Sequence, residues 1–297
     1  MRRALTLFLV ALLALVAAGN PVQHRRLPGS PYILDSVTGE VHAWSVAAVQ
    51  RAAYSGELFR VRRSSDNTEE DIGRNMRGLL DTAELLAFCG AGNGFVVTIY
   101  DQVGSQNLTQ ATTGQQPQIV SSGALITDSG GKPAMQFDDS DDVLLVGNGG
   151  TPSAYPVSIV TFADPTAGGT LFTPVVAASS NQYVDLYIHS TAGEVRAMSR
   201  NTSVQEAIGT TDLVSASVRR MISGVYASTT DRRAFVGTSQ EGSTSTGSST
   251  WPTMTRMAIG RLERSSPADP YGGLISDVFY FNTALDGTAL TTLSAWE

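Results

Sequence analysis

Gly272-Gly273-Leu274-Ile275-Ser276-Asp277-Val278-Phe279-Tyr280-Phe281-Asn282 is the stretch whose reading decides the fold. From Leu274 to Phe281 it is β-branched and aromatic, and glycines and Asn282 bound it, the pattern of a strand. The same pattern recurs toward the N-terminus at residues 58–62, 95–100, 134–137, 143–146, 157–162 and 183–188. It continues at 194–198, 220–226, 233–236 and 255–259. Many short runs separated by Gly, Ser, Asn and Pro predict two packed sheets. No sustained helix-strand alternation appears, which excludes a parallel α/β fold.

Helices are few. Asp81-Thr82-Ala83-Glu84-Leu85-Leu86-Ala87-Phe88 has an Asp cap, a Glu three residues on and Gly90 as a stop, so it predicts a helix. Residues 45–51 are expected to form a second short helix. A third follows Asp286, with Leu290 and Leu293 facing inward. Residues 241–250 are low in complexity and are expected to be a flexible loop.

Of the 297 residues, 42% are hydrophobic and 16% charged, which supplies a core and excludes a disordered chain. The net charge of -7 gives no basic field for phosphates, so nucleic acid is not an expected partner. Arg60, Arg62 and Arg63 are the local exception, with Arg60 and Arg62 on one face of a strand; a solvated face is the expectation. Cys89 stands alone, which rules out an intrachain disulfide and a cysteine-pair redox motif, and a buried structural thiol is expected. Three histidines, His24, His42 and His189, and no Gly-x-Ser-x-Gly elbow leave a serine-hydrolase triad without support.

Met1-Arg2-Arg3, the apolar run over residues 4–18 and Gly19-Asn20-Pro21 read as a secretory signal peptide, or as a hydrophobic anchor. The run is short for a bilayer span of about 20 residues. Residues 20–31 then read as a linker and 32–297 as the domain. The expected location is extracellular or at the cell surface, with a virion as the alternative.

Three segments carry a family resemblance. Ala53-Tyr54-Ser55-Gly56-Glu57-Leu58-Phe59-Arg60-Val61-Arg62-Arg63 leads to Phe88-Cys89. Then comes Gly94-Phe95-Val96-Val97-Thr98-Ile99-Tyr100-Asp101-Gln102-Val103-Gly104-Ser105-Gln106-Asn107-Leu108-Thr109-Gln110-Ala111. Together they resemble the start of the catalytic domain of the family 54 α-L-arabinofuranosidases. Gly131-Lys132-Pro133-Ala134-Met135-Gln136-Phe137-Asp138 and the stretch from Tyr271 to Asn282 resemble the wider laminin G group. The resemblance implies an all-β, concanavalin A-like (laminin G-like) β-sandwich jelly roll with a few short helices. Domains of this kind also occur in bacteriophage virion proteins.

The resemblance also implies where chemistry would lie. Retaining glycosidases need a pair of carboxyl groups, one to protonate the leaving oxygen and one to attack. The resembling enzymes place one just after an Ile-Gly-Gly run. Here Ile259-Gly260-Arg261-Leu262 puts Leu262 at that position, and Glu263, one step on, falls on the other face of a strand. Asp185 lies in the region of the second. The resembling enzymes carry disulfides and this chain has none.

Two functions follow as expectations. The first is a non-catalytic carbohydrate-binding, adhesive or structural module of a secreted or virion protein, meeting glycan surfaces or partner chains. The alternative is a secreted arabinofuranosidase-like hydrolase using Asp185 with Glu263 or Asp277. Candidate ligand contacts are Asp101, Gln102, Tyr183, Tyr187, Trp251 and Tyr271. Asp138, Asp139, Asp141 and Asp142 offer hard oxygen ligands for calcium, against the alternative of an Asp-rich turn bonding its own amides. No organic cofactor is expected.

Overall fold

The computed structural model describes residues 32–147 and 154–297; the leader and linker readings fall outside them. The deciding stretch is strand β19 (Gly272–Phe281), and two strands flank it. On one side it pairs with β1 (Glu40–Ser45), on the other with β10 (Val157–Pro165), both antiparallel. β10 continues to β15 (Arg220–Ser228), β16 (Asp231–Val236) and β17 (Ser239–Ser245), again antiparallel throughout.

A second layer begins at β14 (Ser203–Ile208) and runs through β13 (Val195–Asn201), β12 (Gln182–Ile188) and β11 (Gly169–Val175). It passes to β18 (Arg256–Ile259), β9 (Leu144–Gly147) and β5 (Leu108–Thr109). It ends on β4 (Gly94–Ile99), β2 (Phe59–Arg63) and β3 (Glu69–Ile72). β6 (Gln118–Ser121) and β8 (Met135–Asp138) bridge β4 back to β19, so the sandwich is nearly closed along one side. The expected all-β sandwich is therefore the fold.

Alternation along the central strands explains why they read as continuous apolar runs. Ile159 of β10, Ile222 and Tyr226 of β15 and Val278 and Tyr280 of β19 enter the core between the layers. Val160, Phe162, Met221, Val225, Phe279 and Phe281 point the other way, into a second core. That outer core is covered by a 3-10 turn (Ile33–Ser36) and by helix α3 (Gly287–Ser294), whose Leu290 and Leu293 pack onto it. Strands buried on both faces lose the polar-apolar alternation that exposed sheets show. Helix α1 (Thr82–Cys89) is capped as expected, with Asp81 accepting from the Glu84 amide at 3.1 Å. A third, four-residue helix, α2 (Leu213–Ala216), lies before β15.

Three expectations are corrected. Residues 45–51 are not helical: Ser45 ends β1, and its Oγ accepts from the amides of Ala47 and Ala48, a local turn that competes with helix. Part of the low-complexity stretch is ordered as the edge strand β17, its backbone paired to β16 while its side chains stay largely in solvent. Arg62 is not solvated. It is buried, bonded to Gln116 and Asn67 and stacked over Phe95, because a register shift between Arg60 and Val61 against β4 breaks simple alternation.

A candidate active-site cleft on the outward face of β12

β12 turns Val184, Leu186 and Ile188 into the main core. By alternation Tyr183, Asp185 and Tyr187 lie on the outward face of their sheet. Three connections wall that face: Gly168-Gly169 at the start of β11, His189-Ser190 after β12, and Asp269-Pro270 before β19. With Asp139, Met198 and the β12 side chains they enclose a cleft of about 360 Å³. The wall needs glycine. A Cβ on Gly169, at φ +124, would run into the Pro270 carbonyl and Tyr271 Cα, and one on Gly168 into the backbone of Ser190.

Asp185 sits at the floor of this cleft, 1% exposed. Thr170 Oγ1 donates to its Oδ2 at 3.1 Å, and its Oδ1 is buried with no hydrogen-bond partner. From the facing layer Tyr226 Oη donates to the Asp185 carbonyl at 2.7 Å and fixes the backbone there. Burial, and secondarily the charge of Asp269, hold the Asp185 carboxyl well above the ordinary carboxylate range. It therefore keeps its proton where an exposed aspartate would not.

Asp269 reaches the cleft by a route that strand reading does not reveal. Leu262 and Ala268 are antiparallel partners, exchanging hydrogen bonds of 3.0 and 3.1 Å across a short hairpin. Asp269 comes directly after Ala268, at φ +50, and is exposed. Thr170 ties the two acids together: its amide donates to the Asp269 carbonyl at 2.9 Å and its hydroxyl to Asp185. Leu262 itself is buried with Tyr183, Met198 and Val175 beneath the cleft. A carboxylate, Asp269, thus stands beside the residue opposite Leu262 in the hairpin.

The other candidates have separate fates. Glu263 is buried in ion pairs with Arg261, at 2.6 Å, and Arg256, at 3.3 Å, and does not line the cleft. Asp277 shares the outward parity of Phe279 and Phe281 on the other layer. It accepts from Ser45 Oγ at 2.5 Å, Gln50 Nε2 at 3.0 Å and Trp296 Nε1 at 2.9 Å, with Arg219 at 3.6 Å. Asp185 and Asp277 therefore face outward on opposite layers. Tyr183 and Tyr187 do line the cleft. Tyr271 is 1% exposed and packs edge-on to Phe137, and Trp251 packs edge-on to Tyr155.

Asp101 and Gln102 are buried and knit the frame. Asp101 bonds His42 Nδ1 at 2.6 Å and accepts from the amides of Ala43, Val103, Gly104 and Gln106. Burial raises its carboxyl, but the His42 hydrogen bond and the Gln106 and Ala43 amides outweigh burial and lower it. Gln102 accepts from the Gln50 amide at 2.6 Å and donates to the Ala48 carbonyl at 3.1 Å. Cys89 is buried and its thiol is pushed up to about 11 by burial.

Asp138, Asp141 and Asp142 gather their carboxylate oxygens within 4.8 Å of one another, while Asp139 turns away to line the cleft. Three carboxylates are a partial set for calcium, which takes 6–8 oxygens. Asp138 Oδ1 already accepts from the amides of Ser140 and Asp141, as an Asp-rich turn does. Burial, then the charges of Asp138 and Asp141, push Asp142 up to about 7.

Asp185, Tyr183 and Tyr187, singled out from the sequence, all line the cleft, whereas the sequence carries no signal for Asp269, His189 or Met198 there. Ala268-Asp269-Pro270 reads only as turn residues.

Residues 34–134 match the family model described as the catalytic part of α-L-arabinofuranosidase B. A probable α-L-arabinofuranosidase B of Aspergillus flavus and the α-L-arabinofuranosidase B of Aspergillus oryzae are each 35% identical over 113 residues, 37% of this chain and 21% of theirs. Among solved structures, a family 54 arabinofuranosidase soaked with a cyclic sulfate inhibitor superposes with a TM-score of 0.67 at 17% identity, covering 90% of this chain and 65% of that one. An arabinofuranosidase complexed with arabinofuranosyl-α-1,2-xylobiose gives 0.61 at 16% identity, covering 90% and 64%. The chain spans about a fifth of the length of these curated relatives.

The matched stretch holds the Asp101-Gln102 frame, and every residue lining the cleft lies beyond it. The structural likeness carries the shared sandwich across nearly the whole chain. These findings overturn the expectation of a non-catalytic binding or adhesive module, because the matched family model and relatives are arabinofuranosidases, the model a catalytic domain. Nothing in them points to a virion or bacteriophage protein, so that part of the expectation has no support.

Proposed function

We propose that the domain is a glycoside hydrolase that releases α-L-arabinofuranosyl groups, with Asp185 and Asp269 as its two carboxyl groups. The observation that carries this reading is Asp185: a buried carboxyl with one orphaned oxygen and a raised proton affinity, in one cleft with two further aspartates, Asp139 and Asp269, of which Thr170 ties Asp269 to it. A carboxyl that keeps its proton serves as general acid, and a neighbouring carboxylate serves as nucleophile or base. Asp185 then protonates the leaving oxygen as the glycosidic bond breaks. Asp269, at the exposed side, attacks the anomeric carbon or activates water, and Thr170 sets the spacing of the pair.

The cleft volume lies at the small end of ligand pockets, which suits one pentose rather than a long chain segment. Tyr187, half-buried at the cleft, offers a flat face of the kind sugars stack on, while Tyr183 is buried beneath it. A polymeric substrate places the work outside the cell, which the Arg-flanked apolar run over residues 4–18 fits.

The test is release of nitrophenol from 4-nitrophenyl α-L-arabinofuranoside. Wild-type protein is expected to turn over, and Asp185→Asn and Asp269→Asn are each expected to lose about 10²–10⁴-fold in kcat, the range for removing an acid-base group. No turnover by folded wild-type protein, or unchanged turnover in both variants, would overturn the proposal.

A further inference from the structure

Tyr187 is the half-buried aromatic of the cleft wall, and a ring serves as a stacking surface only while its plane holds still. A tyrosine on a strand face turns about two side-chain bonds unless something fixes its tip. For Tyr187 that something lies outside the cleft.

Register brings the parts together. Arg196 of β13 stands directly across from Tyr187, and Glu206 of β14 stands across from Met198, the next outward position along β13. Tyr187 Oη donates to Glu206 Oε2 at 3.3 Å. Arg196 Nη1 donates to both oxygens of the same carboxylate, at 3.3 and 3.4 Å. The other edge of its guanidinium, Nε and Nη2, donates to Glu194 Oε1 at 3.0 and 2.6 Å. The guanidinium lies 6.0 Å from the Tyr187 ring centre. The phenol is thus held at its tip by a carboxylate, that carboxylate by an arginine, and the arginine by a second carboxylate.

None of these three charged side chains lines the cleft, so they reach it through Tyr187. Nor do they hold a core layer together. On β14 the outward neighbours of Glu206, Val204 and Ile208, are exposed, and ion pairs at such an open face add little to stability.

We propose that Glu206, braced by Arg196, is a positioning residue that fixes the Tyr187 ring as the stacking wall for a sugar in the cleft. The inference rests on the hydrolase reading for which sugar enters, an α-L-arabinofuranosyl group, but it is read by binding alone.

The experiment is a double-mutant cycle on the affinity for methyl α-L-arabinofuranoside, measured by isothermal titration in the Asp185→Asn protein so that the probe is not consumed. Tyr187→Ala is expected to raise Kd about tenfold, the upper range for an aromatic stacking contact. Glu206→Ala is expected to raise it about fivefold while Tyr187 is present and to add nothing once Tyr187 is alanine, since groups acting through one contact are not additive. Glu206→Gln, which keeps an acceptor for the Tyr187 hydroxyl, is expected to restore most of the affinity. Thermal midpoints of the Glu206 variants are expected to stay near that of the parent. An unchanged Kd in folded Glu206→Ala, the same loss with and without Tyr187, or no binding of the glycoside by the folded parent would overturn the proposal. The expected cycle in a protein whose wild-type form does not cleave the aryl arabinofuranoside would support the positioning role while counting against the hydrolase reading alone. Cleavage by wild type together with additive losses would do the reverse.

Discussion

Asp185 and Asp142 are both aspartates with raised proton affinity, yet their causes differ and so do their consequences. For Asp185 burial comes first and Asp269 second, inside the cleft. As a general acid it must be protonated, so kcat is expected to fall on the alkaline side, as pH rises through its elevated value. Asp185→Asn removes that limb together with the activity, which a pH-rate profile reads directly.

For Asp142, burial and two neighbouring aspartates push the carboxyl up to about 7, from an ordinary 3.8 in the unfolded chain. The folded state therefore binds the proton more tightly, and this group's contribution is fully present below about pH 4 and lost as pH rises through about 7. Asp142→Asn is expected to stabilise the protein at pH 8 by about 1–2 kcal/mol after solvent screening, and to change little at pH 4, as urea midpoints at the two pH values would show.

At the scale of elements, β19 carries two separate duties on its two faces. Val278 and Tyr280 build the inner core, whereas Asp277 anchors β1, Gln50 and Trp296 on the outer side. Removing the Asp277 carboxylate leaves the buried Arg219 with Asp128 as its remaining ion-pair partner and strips Trp296 Nε1 of its acceptor. Asp277→Ala is expected to cost about 2–4 kcal/mol in urea unfolding, with kcat of the folded fraction unchanged. A loss of activity without loss of stability would instead make Asp277 part of the chemistry. The wall of the cleft is an element of its own: Gly169→Ala forces a Cβ into Pro270 and Tyr271, so it is expected to lower kcat more than tenfold by displacing Asp269.

These elements also show what was legible beforehand. The doubly buried strands around β10 and β19 announce themselves as β-branched and aromatic runs, and the Asp81 and Asp286 caps mark α1 and α3. Short strands such as β3, with Glu69-Glu70-Asp71-Ile72, carry no apolar pattern because three of four side chains face solvent or ion pairs. Asp269 was illegible for another reason. Its place depends on which residue stands opposite Leu262 in a hairpin and on a positive φ, neither of which composition or period encodes.

For the molecule as a whole, the stretch that matches the family model and the stretch that builds the cleft are different parts of the chain. The stretch that matches the arabinofuranosidase model, residues 34–134, supplies the His42–Asp101 and Gln50–Gln102 frame on which β1 and β4 are set. The cleft is assembled later, from β11, β12, β13 and the turn before β19. Leu262 brings no carboxyl to it, but Asp269, beside the cross-strand partner of Leu262, does.

The most direct measurement of that claim is the crystal structure of Asp185→Asn soaked with 4-nitrophenyl α-L-arabinofuranoside. The account predicts the arabinofuranosyl ring in the cleft, its glycosidic oxygen within hydrogen-bond reach of residue 185 and its anomeric carbon facing the Asp269 carboxylate. A sugar bound elsewhere on the sandwich, or one in the cleft with Asp269 turned away from the anomeric carbon, would contradict it.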